Sequence, residues 1–255
     1  MNLGLEGRAA LVFGGSRGIG AATARALHGE GVALSLTARS EEALEGSLAA
    51  MPGAQALAAD LTKPGDAEAA VAAALARHGR IDLAVVSAGA AQGGSFTELG
   101  DEVWASALEL KFMGMIRALR ALVPPMRAAG HGRILVIVGN NGVQANKAML
   151  PGSAANAACL AVIRGLAEDF APHGIRINAL NPGPTRTDRW DGLVARLSEG
   201  RDPAEVEAEL LGAQPLGRIA TADEMGRLAA MMLSDAADML VGTSLTADGG
   251  AVRRI

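Results

Sequence analysis

Apolar residues along this chain come in short closed runs, separated by longer stretches in which alanine and leucine recur at three- and four-residue spacing. The runs are AALVF (9–13), VALSLT (32–37), IDLAVV (81–86), RILVIV (133–138), IRINAL (175–180) and SLTA (244–247). Aliphatic runs with little polar alternation describe strands covered on both faces, and the periodicity between them is helical. The alternation predicts an α/β fold, a doubly wound parallel sheet with helices on both faces. No linker, repeat or low-complexity block interrupts it, so residues 1–255 read as a single domain. A more polar stretch at 187–212, containing Trp190 and Pro203, reads as an insertion able to serve as a substrate lid.

Two helical segments say more. Over 153–170, Ala154, Ala157, Leu160, Ala161, Ile163, Leu166, Ala167 and Phe170 put apolar side chains on nearly every side. A helix without a wet face is covered all round, which on the outside of a sheet requires a second subunit, so a homodimer or homotetramer is expected. Farther upstream, Trp104, Leu108, Met115, Leu119 and Leu122 define an apolar stripe with Lys111 at its edge, while Glu109, Arg117 and Arg120 lie opposite. An amine turned inward loses hydration, which lowers its pKa. The plainer alternative is a lysine that snorkels to water or bonds backbone carbonyls at the sheet edge.

Composition narrows the function classes. No apolar run approaches the roughly 20 residues that cross a bilayer, and MNLGLEGRAALVF lacks the layout of a signal peptide, so no membrane partner is expected. The single cysteine, Cys159, excludes an internal disulfide and suits a reducing cytoplasm. A net charge of −4, scattered arginines, four phenylalanines and two tryptophans offer neither a basic stripe nor stacking platforms for nucleic acid. His28, His78, His131 and His173 each sit beside a glycine at an expected helix end, with no metal-binding spacing. The chain contains no tyrosine at all.

After the first run comes Gly14-Gly15-Ser16-Arg17-Gly18-Ile19-Gly20, opening a helix. Glycines at 14, 18 and 20 let the backbone turn tightly against a pyrophosphate, and the free N–H groups of the helix start bind its charge. A glycine turn by itself is as often structural; its place between a strand and a helix in the first βαβ unit favours a dinucleotide site. At the end of the second run, where a carboxylate would hold the adenosine ribose of NAD, the chain has Ala38 and Arg39, with Arg17 in the turn. Two guanidiniums suit a 2′-phosphate, so NADP is the expected cofactor and NAD the less favoured one.

With Asp60 and Leu61 in AADLT, Ser87-Ala88-Gly89, GRILVIV, NALNPG (178–183), GRIATADEM and GTSLTADGG, these motifs resemble the short-chain dehydrogenase/reductase family over essentially the whole chain. The resemblance implies a Rossmann-like fold. It assigns the cofactor to Gly14, Ser16, Arg17, Gly18, Ile19, Gly20, Arg39, Asp60, Leu61, Ser87, Ala88, Gly89, Pro182, Gly183, Thr185 and Thr187. Asp60 would lie on the adenine side, Ser87 to Gly89 beneath the cofactor, and Pro182, Gly183, Thr185 and Thr187 beside the nicotinamide. The family's chemistry rests on a serine, a tyrosine, a lysine and an asparagine. The matching positions here hold Gly139, Gly152, Asn156 and Lys111, so all four differ, and PGSAANAAC looks like a catalytic segment stripped of its acid.

The expected function is therefore NAD(P)-dependent oxidoreduction of a small carbonyl or alcohol substrate at a non-standard site. Lys111, a water or the substrate would handle the proton, and Asn156 would hydrogen-bond a ribose hydroxyl or a ligand. Two alternatives stand beside it: non-redox chemistry with Lys111 as base or Schiff-base former, and an inactive cofactor-binding or partner protein. Ser153 reads as a helix N-cap, Asn140, Asn141 and Asn146 as turn formers, and Asp188 as the acidic lid residue best placed to reach a substrate.

Overall fold

The computed structural model describes residues 2–89 and 93–253. Its strands are, in chain order, β1 (Ala9–Phe13), β2 (Ala33–Ala38), β3 (Gln55–Ala58), β4 (Leu83–Val86), β5 (Gly132–Ile137), β6 (Ile175–Pro182), β7 (Thr185–Arg186), β8 (Ala220–Thr221) and β9 (Ser244–Ala247). Seven of them form one sheet in the order β3-β2-β1-β4-β5-β6-β9, and β7 pairs with β8 separately. Every pairing in the large sheet is parallel. All residues of β1, β4 and β5 are buried, as continuous aliphatic runs require when helices cover both faces.

The helices are α1 (Gly18–Gly29), α2 (Glu45–Ala49), α3 (Asp66–His78), α4 (Asp101–Ala107), α5 (Gly114–Ala129), α6 (Leu150–Phe170), α7 (Asp188–Leu197), α8 (Pro203–Gly212) and α9 (Ala222–Met232). One face of the sheet carries α1 and α9, with Leu27, Ala229 and Met232 in its core. The other carries α3, α5 and α6, with Val71, Leu119, Leu122 and Ile163. The strand order reverses between β1 and β4, and a crevice opens at the carboxyl ends of strands at such a point.

Three points differ from the sequence reading. The strand β3 was not legible, because QALA is half-exposed and lies at the sheet edge, where no apolar run is required. The stripe from Trp104 to Leu122 is not continuous: a π-helical turn at Leu108–Met113 separates α4 from α5 and adds a residue to the repeat. Met115, Leu119 and Leu122 are buried, but Leu108 is 38% exposed. In the single chain, Ala155, Cys159, Ile163 and Ala167 of α6 pack on the sheet while Ala154, Ala157 and Ala161 are exposed, on the side where the sequence expects a second subunit. The segment Leu150–His173 is long and apolar enough to cross a membrane by length and composition alone. It carries Arg164, Glu168 and Asp169 and serves as a layer of the sandwich. Finally, Ser153 is not the N-cap; α6 begins at Leu150 with Met149 at the cap, and Ser153 Oγ accepts the Asn146 N–H at 3.2 Å.

Candidate functional site

The glycine turn lies between β1 and α1, at the strand-order reversal. Gly14 and Gly18 have φ of 83° and 57°, which favour glycine. A Cβ on Gly20 would stand 2.1 Å from the Gly14 carbonyl oxygen, and one on Gly14 would stand 3.0 Å from the Ser87 carbonyl carbon. The turn is therefore closed to side chains and held against the end of β4, where the Ser87 N–H donates to Phe13 O at 2.8 Å. No side chain caps α1, and its first turn holds no acidic residue. Its donors are left for an anion. Ser16 is half-buried, Arg17 is exposed at the N-cap, and Ile19 and Gly20 begin the helix. A dinucleotide pyrophosphate fits this cradle by its donors and by the absence of side-chain atoms.

At the adenine end, Arg39 is exposed just past β2, and neither it nor Arg17 pairs with a carboxylate among the described residues. Asp60 accepts the Thr62 N–H at 3.0 Å and the Thr62 hydroxyl at 2.8 Å, which holds its carboxyl below the usual range. The Leu61 side chain is buried in the core, and its carbonyl accepts Arg117 Nη1 at 2.8 Å.

On the far side of the cleft, Pro182 ends β6 and Gly183 N–H donates to Ala247 O at 3.2 Å. The Thr185 and Thr187 hydroxyls donate to Gly183 O and Thr185 O, at 3.0 and 3.2 Å. A Cβ on Gly18 would meet the Thr187 methyl at 3.6 Å, so this wall approaches the phosphate turn.

The two catalytic candidates meet at the carboxyl end of β5. Lys111 projects from the π-helical turn, and its Nζ donates to Ile137 O at 2.6 Å. Loss of hydration pushes its pKa down to about 8; the positive charge of Arg189 adds to the lowering, and Cys159 opposes it. The Cys159 thiol donates to Lys111 O at 3.6 Å and has its own pKa raised by burial, which makes it a packing residue. Two residues beyond Ile137, Gly139 adopts φ 138°, and a Cβ there would lie 3.0 Å from Asn156 Nδ2. A Cβ on Gly142 would lie 2.9 Å from Asn156 Cβ. The Asn156 side chain thus packs over backbone that two glycines leave bare. Ala88 and Gly89 are half-buried after β4, and a Cβ on Gly89 would stand 2.9 Å from Lys111 Cδ. Gly152 lies in the first turn of α6 and is half-buried.

Sequence reasoning missed Arg189. It follows Thr187 by two residues, and its Nη2 donates to Gly89 O at 2.7 Å, reaching across the cleft from α7. Asp188 lies instead beside Ser16, Arg17 and Gly18. The Asn140 amide donates to Asp248 Oδ2 at 3.2 Å, while Asn141 and the Asn146 side-chain Oδ1, which accepts the Ala148 N–H, shape turns. No group of three or more His, Cys, Asp or Glu side chains among the described residues is arranged to hold a metal.

The family model described as Enoyl-(Acyl carrier protein) reductase matches residues 14–252. The oxidoreductase UcpA of Escherichia coli O157:H7 is 33% identical over 254 residues, covering 97% of this chain and 95% of the relative. The 3-oxoacyl-[acyl-carrier-protein] reductase FabG of Escherichia coli K12 is 30% identical over 251 residues, covering 97% and 98%. Among solved structures, L-sorbose reductase from Gluconobacter frateurii, in complex with NADPH and L-sorbose, superposes with a TM-score of 0.95 at 28% identity, covering both chains completely.

Proposed function

The chain belongs to the short-chain dehydrogenase/reductase family, and from that premise we propose that it is an NADP-dependent reductase of small carbonyl compounds in which Lys111 replaces the missing phenol. The observation that carries this reading is the Lys111 amine in the cleft, tethered to Ile137 O at 2.6 Å with a pKa brought down to about 8. An ammonium near its pKa at working pH is a competent general acid. NADP is favoured over NAD by the unpaired Arg17 and Arg39 and by the NADPH in the sorbose reductase. When bound, the cofactor supplies the hydride received by the carbonyl carbon. Lys111 gives a proton to the carbonyl oxygen and regains one from water, while its charge stabilises the developing oxyanion. The Asn156 amide positions a ribose or substrate hydroxyl over Gly139 without supplying a proton. The helices of 187–212, which share a small core of Trp190, Val194 and Ile219, serve as the lid of the same reading. The exposed strip Ala154, Ala157 and Ala161 of α6 serves as a contact between copies in a homodimer or homotetramer.

Steady-state NADPH oxidation across a panel of aldehydes and ketones tests this. Lys111→Ala is expected to lower kcat by about 10²- to 10⁴-fold, the range for a lost general acid, with NADP affinity retained. Reduction by the wild type falls as pH rises through about 8, because the ammonium is the active form. In Lys111→Arg that limb disappears, since a guanidinium stays charged. An unchanged rate in Lys111→Ala overturns the assignment, and a borohydride-trapped substrate adduct on Lys111 replaces it with Schiff-base chemistry.

A further inference from the structure

We propose that Arg189, beside Lys111, forms a subsite for a carboxylate on the substrate, so that the carbonyl compounds accepted are oxo acids. The proposal rests on the reductase reading for the position of the reacting carbonyl.

Two cations converge on Gly89. From one side Arg189 Nη2 donates to its carbonyl at 2.7 Å. From the other, the Lys111 side chain lies along it, with Cδ 2.9 Å and Nζ 3.4 Å from where a Cβ would stand. After dehydration, the larger cause, the Arg189 charge lowers the Lys111 pKa, and Arg17 lies near enough to the exposed Arg189 to add a third positive charge. Like charges gathered this way are costly unless an anion joins them.

None of the described carboxylates does. Several arginines around the same segment are paired, Arg186 with Glu207 at 2.7 Å, Arg201 with Glu209, Arg25 with Asp223 and Arg218 with Glu224, while Arg196 of α7 has no ion pair among the described residues. Arg189 has no such pair, although Asp188 and Asp191 flank it in sequence. One of its five donors meets a carbonyl, and a planar fork is left for a planar anion. The cofactor's pyrophosphate is a weaker claim on Arg189, because the uncapped start of α1 and Arg17 already face it. A carboxylate next to the reacting carbonyl would sit between Arg189 and Lys111, holding the carbonyl oxygen toward the amine.

Calorimetric titration of the NADP⁺-loaded protein with pyruvate and benzoylformate, each against its methyl ester, provides the test. The acids are expected to bind at least about tenfold more tightly than the esters, the lower end for a charge-assisted bond. Arg189→Gln removes that preference, Arg189→Lys keeps part of it, and NADP⁺ affinity stays within about twofold. Acids that bind no better than esters, or a preference that survives Arg189→Gln, overturn the proposal. So does a loss of NADP⁺ affinity in Arg189→Gln with acid preference intact, which assigns the guanidinium to the pyrophosphate. NADPH absorbance is followed in parallel: acid-selective binding without turnover sinks the reductase reading and leaves the subsite, and turnover without acid selectivity does the reverse.

Discussion

Gly139 and Asn156 behave as one adaptation. The backbone of Gly139 sits at φ 138°, a region L side chains rarely adopt, and the Asn156 amide fills the space a side chain would need. Restoring the serine that the family pattern implies at this position is therefore not a repair. Gly139→Ser is expected to destabilise the protein by about 1–3 kcal/mol, the cost of one strained backbone position, as measured by urea unfolding. Adding Asn156→Ala to Gly139→Ser should recover the steric share of that loss, and the double-mutant cycle should show favourable coupling. A purely additive cycle would mean that the two residues are independent. Lys111 is tuned by its surroundings in the same local way: dehydration at the end of β5 sets its pKa, and any substitution that admits water there should move the pH limb of reduction upward.

Between β1 and α1 the phosphate turn is built by contact between backbones. With a Cβ on Gly20 only 2.1 Å from the Gly14 carbonyl oxygen, Gly20→Ala forces the turn open. The expected loss is about 1–3 kcal/mol, the usual cost of overpacking, with NADP⁺ binding abolished because the α1 donors no longer converge. Thermal unfolding and a NADP⁺ titration of the same preparation check both effects. The π-helical turn at Leu108–Met113 acts at the same scale. It shifts the register between α4 and α5, so Leu108 faces outward while Lys111 enters the cleft.

Across the whole molecule, cofactor binding and folding are linked. A ligand held only by the native state raises stability by about 2.7 kcal/mol at a hundred times its Kd. NADP⁺ is expected to raise Tm more than NAD⁺ at equal concentration, and Arg39→Ala to narrow the gap. Because Arg39 and Arg17 are exposed, added salt should narrow it as well. Equal shifts for the two dinucleotides in the wild type would remove the 2′-phosphate from the reading of these arginines.

The parallel sheet, its position in the chain and the glycine turn were legible because each follows from local rules: closed aliphatic runs, and a strand–glycine–helix junction. Six of the seven sheet strands announced themselves this way, and β3 did not, since an edge strand need not be apolar. The expectation that Gly139, Gly152 and Asn156 stand where the family resemblance implies a hydroxyl, a phenol and an amine, with Lys111 on the neighbouring helix, is likewise read from the residues alone. Tertiary structure decided which groups meet. Lys111 reaches Ile137 O from 26 residues away, and Arg189 reaches Gly89 O from 100 residues away. A periodic pattern assigns a side chain to a face of its own helix. Neither the extra residue of a π-turn nor a contact across a cleft follows from it, because both depend on how separate elements pack.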